Sequence, residues 1–82
     1  MVAFLAPGTG ATAFIAGRKV GDAVRRNRAR RVLRAAWREV APRVQDGYDI
    51  AWVARAAIRG STTQDLVAEM TELLRDARVM MP

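Results

Sequence analysis

The stretch from Asp22 to Val44 constrains the fold most, because it joins a helical apolar stripe to seven arginines between Arg25 and Arg38 that no globular core accepts unpaired. At 100° per residue, Ala29, Leu33, Ala36, Trp37, Val40 and Val44 share one side. Asn27, Arg31, Arg34 and Arg38 share the opposite side with Arg28 beside them, while Arg26 and Arg30 flank the apolar stripe near its start. A helix of this kind buries one side only and must lie outside a layer that supplies the rest of the core. Asp22 is placed to N-cap it, and Pro42 marks its C-terminal limit.

The flanking sequence supplies that layer. "VAFLA" (Val2 to Ala6) is stopped by "PGTG" (Pro7 to Gly10) and followed by "ATAFIA" (Ala11 to Ala16), which predicts two strands joined as a hairpin. Gly17 to Gly21 is a basic loop holding Arg18 and Lys19, and it lacks the Gly-Lys-Ser/Thr ending of a nucleotide-binding loop. In "GYDIAWVAR", Tyr48, Ile50 and Trp52 alternate with Asp49, Ala51 and Val53, predicting a third strand with one bulky face. A last helix is expected from the "GSTTQD" stretch, with Ser61, Thr62 or Thr63 as cap and Leu66, Met70, Leu73, Leu74 and Ala77 as its apolar marks, ending near Val79. The order is ββαβα, an α+β sandwich in which helices pack on a small sheet. At 82 residues it reads as one domain, 1–82, burying only about 60% of its unfolded surface. Trp37 and Trp52 are expected in that thin core.

Charge then points to function. The net charge of +6 favours a polyanionic partner, nucleic acid before an anionic membrane surface. Arg18 to Arg34 holds eight bases against one acid, Asp22, whereas acids and bases roughly balance from Asp46 onward. With Asp22, four residues before Arg26, as the single exception, these arginines lack the i,i+4 acidic partners that a merely solvated charged face uses. With no Cys and no His, disulfides, Cys/His zinc sites and Ser-His-Asp or Cys-His nucleophiles are all excluded. Asp65, Glu69, Glu72 and Asp76 form an acidic stripe on the face of the last helix away from Leu66, Met70 and Leu73, and it reads as a solvated face rather than a two-metal site. No metal or cofactor bound by the protein is expected. No apolar run of about 18 residues and no basic lead before the first apolar run supports a membrane span or a signal peptide, so a cytoplasmic protein with no membrane partner is expected.

The stretch "GRKVGDAVRRNRARRVLRAAWREV" followed by "GYDIAWVAR" resembles the protein component of bacterial ribonuclease P, the ribonucleoprotein that removes 5′ leaders from precursor tRNA. The resemblance centres on Arg26-Asn27-Arg28 after the basic loop Arg18-Lys19, with Arg30, Arg31 and Arg34 beyond and Ala54-Arg55 ending the later strand. It implies an α-β sandwich with a left-handed βαβ crossover, like the second domain of ribosomal protein S5 and against the general rule. It also implies a subunit of an endoribonuclease whose catalytic groups and magnesium ions belong to the RNA subunit. RNA-binding residues are then Arg18, Lys19, Arg25, Arg26, Asn27, Arg28, Arg30, Arg31 and Arg34, with none catalytic and none a metal ligand. Phe4 and Arg55 are leader-cleft candidates, although residue type alone leaves Phe4 open between core and cleft. The partners implied are the ribonuclease P RNA subunit and precursor tRNA, with no DNA. The resemblance begins inside the family's first long strand, so the expectation is a chain lacking the family's N-terminal helix and some of its leader-contacting aromatics. A basic RNA- or DNA-binding module associated with the ribosome is the alternative reading. An autonomous nuclease using the acidic stripe is a third.

Overall fold

The computed structural model describes residues 1–81 and orders the chain as β1 (Val2–Pro7), β2 (Thr12–Ala16), α1 (Ala23–Val40), β3 (Tyr48–Ala54) and α2 (Thr63–Asp76). Short 3-10 turns at Arg18–Val20, Ala41–Arg43 and Ala56–Ile58 connect them. The expected hairpin does not form. The sheet order is β1-β3-β2, with β3 antiparallel to β1 and parallel to β2. The four residues Gly8 to Ala11 cross over the start of β3 instead of turning back beside β1, and a span of about 10 Å across one intervening strand is within their reach. Asp49 holds this crossing in place: its Oδ1 accepts the backbone N–H groups of Thr9, Gly10 and Ala11 at 3.0, 3.1 and 2.9 Å. The Gly8 N–H donates to the Gly47 carbonyl at 2.8 Å. A Cβ on Gly8 would overlap the Asp49 carboxylate, so the crossing needs glycine there.

Strand alternation then sorts the two sheet faces. Ile50, Trp52 and Ala54 are buried toward the helices, where they meet Leu33, Ala36 and Val40 of α1 and Leu66, Met70 and Leu74 of α2. Asp22 caps α1 as expected, its side chain accepting from the Arg25 N–H at 3.0 Å. Ala41 is still helical at φ −51° and ψ −41°, but Pro42 has no N–H to continue the i→i−4 ladder, so the α-helix gives way at Val40 to a 3-10 turn. Thr62 is the α2 cap, and it forms a reciprocal capping box with Asp65. α2 stops at Asp76, short of Val79. Arg78 adopts φ +61°, the Arg78 N–H donates to the Arg75 carbonyl and the Val79 N–H to the Leu74 carbonyl. This Schellman turn folds Val79 back into the core, which is why the apolar spacing continues beyond the helix.

Trp52 is fully buried, as expected. Trp37 differs from expectation. It is half-buried, its ring 5.5 Å from that of Trp52 at a tilt of 52°, and it also lines a shallow surface cavity with Tyr48, Thr12 and Gln45. Leu33, Ala36 and Val40 anchor α1, and Trp37 seals the edge.

Candidate nucleic-acid interface

α1 presents its arginines in three directions. Arg25, Asn27, Arg28, Arg31, Arg34 and Arg38 are exposed, while Arg26 and Arg30 are half-buried at the margin of the apolar stripe. On the β2 side, the Arg34 guanidinium stands 5.5 Å from the centroid of Phe14, a cation-π contact that fixes its direction. Arg30 donates to the Asn27 Oδ1 at 2.8 Å. That bond occupies the Asn27 acceptor and leaves its NH2 group to donate outward. Among the described residues the ion pair is a single one, between the Met1 amino group and Glu69 at 2.7 Å, so no α1 arginine is neutralised by a carboxylate. Arginine suits phosphate because its planar fork donates two parallel bonds.

The second part of the site is the uncovered face of the sheet. The register aligns Val2, Phe4 and Ala6 with Val53, Ala51 and Asp49, and Ala13 and Ile15 with Ala51 and Val53. Seven of these eight side chains are apolar, and no helix covers them. Phe4 is 62% exposed and Ile15 46%, which resolves Phe4 as a surface residue rather than a core one. At one end of this face a cleft of about 660 Å³ brings Phe4 and Ile15 together with Arg18, Lys19 and Arg55. Val20, fully buried, pins the basic turn so that its two cations face this cleft's rim. An aromatic floor with a cationic rim suits unpaired bases that stack while their phosphates are held at the edge.

The sequence-derived residues therefore fall into two groups. Phe4, Arg18, Lys19 and Arg55 share the cleft, whereas Arg25, Arg26, Asn27, Arg28, Arg30, Arg31 and Arg34 lie along α1. Ile15 and Arg59 escaped the sequence reading. Alternation in "ATAFIA" put Phe14 and Ile15 on opposite faces, yet only the strand order shows that Ile15 faces outward next to Val53. Arg59 sits in a connection with no periodicity to read.

Two carboxylates of the acidic stripe already have partners, Glu69 being paired with the Met1 amino group. Asp65 is spent on the α2 cap, where the Thr62 backbone N–H and then its hydroxyl hold the carboxyl below its ordinary pKa. Among the described residues no group of carboxylates could hold a metal ion, and no helix is long and apolar enough to cross a membrane.

Known proteins resemble this chain in sequence and in fold. The family model described as Ribonuclease P matches residues 2–78. The ribonuclease P protein component of Symbiobacterium thermophilum is 45% identical over 67 residues, covering 82% of this chain and 58% of that protein. That of Chloroflexus aurantiacus is 46% identical over 66 residues, covering 78% of this chain and 48% of its own length. The chain thus spans about half the length of the curated relatives it matches. Among solved structures, the ribonuclease P protein of Thermotoga maritima superposes with a TM-score of 0.73 at 20% identity, covering 90% of this chain and 74% of that one. The Staphylococcus aureus protein gives 0.73 at 21%, covering 95% and 74%. These two share the fold, and the family model spans nearly the whole chain: the chain belongs to the ribonuclease P protein family.

Proposed function

We propose that this chain acts as the protein subunit of ribonuclease P, assisting the endonucleolytic removal of 5′ leaders from precursor tRNA in the cytoplasm. The observation that carries this reading is α1, where seven arginines run along one helix and, among the described residues, none meets a carboxylate. Packing them so costs self-repulsion, which a polyanion of matching length relieves. The Arg26-Asn27-Arg28 segment, with Arg25, Arg30, Arg31 and Arg34, docks the RNA subunit. Phe4 and Ile15 stack leader bases while Arg18, Lys19 and Arg55 hold leader phosphates. The RNA subunit and its magnesium ions cleave, and the protein contributes binding and orientation, a division consistent with a chain that has no His and no Cys.

Reconstitution with the cognate RNA subunit at low magnesium tests this directly. The expected result is stimulated cleavage of precursor tRNA, with no cleavage by the protein alone. RNA binding without stimulation would favour a ribosome-associated module. Cleavage by the protein alone, lost in Glu69→Ala, would favour an autonomous nuclease.

A further inference from the structure

Arg59 lies in the connection between β3 and α2, and its Nε donates to the Val20 carbonyl at 2.7 Å across 39 residues of sequence. One edge of the guanidinium is thereby fixed and the Nη groups are left to turn outward. They turn toward α1. A Cβ on Gly21 would come within 3.2 Å of the Arg59 Nη2 and 2.7 Å of the Arg25 Cδ, so the two side chains converge over the same glycine. Gly21 also has φ +142°, a conformation that side chains disfavour. Glycine is required here on both counts, and its bareness lets two cations approach one another. Arg28 joins them across a groove of about 300 Å³ lined otherwise by Ile58 and Gly60, with no acidic residue in its wall. Arg28 and Arg31 carry the same surface on toward Thr63 at the start of α2. This edge of α1 faces α2, away from the edge where Arg34 meets Phe14 of β2.

We propose that Arg59 completes, with Arg25 and Arg28, a site for one phosphodiester of the RNA subunit on the α2 side of α1. Three arginines, one of them braced by a backbone carbonyl, offer forked donors to a tetrahedral anion, and the nearby N-terminal half of α1 adds positive potential. The groove offers no base-stacking aromatic, so it reads backbone rather than sequence. α1 can then be gripped from both edges by separate RNA segments. This proposal rests on the reading of α1 as the RNA-docking helix.

The test is the salt dependence of affinity for the transcribed cognate RNA subunit, using the full chain and its Arg28→Gln, Arg59→Gln and Arg59→Lys variants, with thermal melting of each as a folding control. Arg59→Gln should flatten the plot of log K against log salt by about 0.7 to 0.9 and weaken binding roughly tenfold or more. Arg59→Lys should keep the slope, since the charge remains, but lose affinity with the fork. An unchanged slope in Arg59→Gln beside a flattened one in Arg28→Gln overturns the role of Arg59 alone. Unchanged slopes in both overturn the docking role of α1 and this site with it. If Arg59→Gln fails to fold, Arg59→Lys decides: affinity equal to the parent's overturns the forked site.

Discussion

α1 and α2 are built alike on their buried sides and unlike on their solvent sides. Each inserts three or four apolar residues into one shared core, and each starts at a side chain that caps it. On its outer face α2 is largely self-sufficient, with Asp65 in its capping box, Glu69 bonded to the Met1 amino group and Arg75 in the last turn where it complements the helix dipole. Between Arg25 and Arg38 every exposed residue of α1 is an arginine apart from Asn27, and among the described residues none of these arginines is paired with a carboxylate. A helix that answers its own charges serves the fold, and a helix that leaves them open serves a partner.

That contrast can be broken most violently from the inside, where the two helices should behave the same. Leu33→Ala in α1 and Met70→Ala in α2 remove fully buried side chains, and each should cost about 2 to 5 kcal/mol, a large share of a small domain's stability, in denaturant melts. Trp37→Ala should cost less than Leu33→Ala because part of the Trp37 ring is already in contact with water. On the outside the helices should part company. Arg28→Gln with Arg31→Gln should flatten the salt dependence of RNA affinity by about 1 to 2 units with little change in melting, while Glu72→Gln with Asp76→Asn should leave that slope unaltered or strengthen binding slightly. Loss of the slope difference between these pairs in a filter-binding titration would remove the functional contrast.

Smaller effects sharpen the same comparison. Asp22→Ala and Thr62→Ala should each cost about 1 kcal/mol, since both helices depend on a capping oxygen. The Asp65 carboxyl is depressed in the folded state by the Thr62 N–H and hydroxyl, so its contribution is present above the ordinary carboxylate pKa and is lost as pH falls through the lower folded value. Acid should therefore fray the start of α2, an effect visible as amide exchange at Asp65 and Leu66 and diminished in Thr62→Ala, which loses the hydroxyl but keeps the backbone N–H. The least change is expected at Arg78, whose φ of +61° suits glycine better; Arg78→Gly should raise stability by up to about 1 kcal/mol in the same melts.

Those features that depend on one element were legible from the chain. Period, cap and stop residues located α1 from Asp22 to just before Pro42, and strict alternation placed Ile50 and Trp52 on the buried side of β3. The Arg-Asn-Arg segment was legible because its residues are consecutive. What stayed hidden depends on two elements meeting. Nothing in Val2 to Ala16 says that another strand will lie between its halves, since the deciding bonds come from Asp49, 38 to 40 residues later. The outward exposure of Ile15 and the half-burial of Trp37 follow from that arrangement. Arg59 was invisible for the same reason, as its meaning comes from Val20 and Gly21.

β3 is the last strand of the sheet to be made and the one that lies at its centre. A chain leaving the ribosome therefore carries β1 and β2 with open hydrogen-bonding edges and an apolar surface while some thirty further residues are added, and the two cannot satisfy each other in native fashion. Only when Tyr48–Ala54 threads between them do both edges close at once, so sheet formation is a late, all-or-none event. Until then, the strongly charged α1, already synthesised beside them, is what keeps the nascent segment dispersed in water.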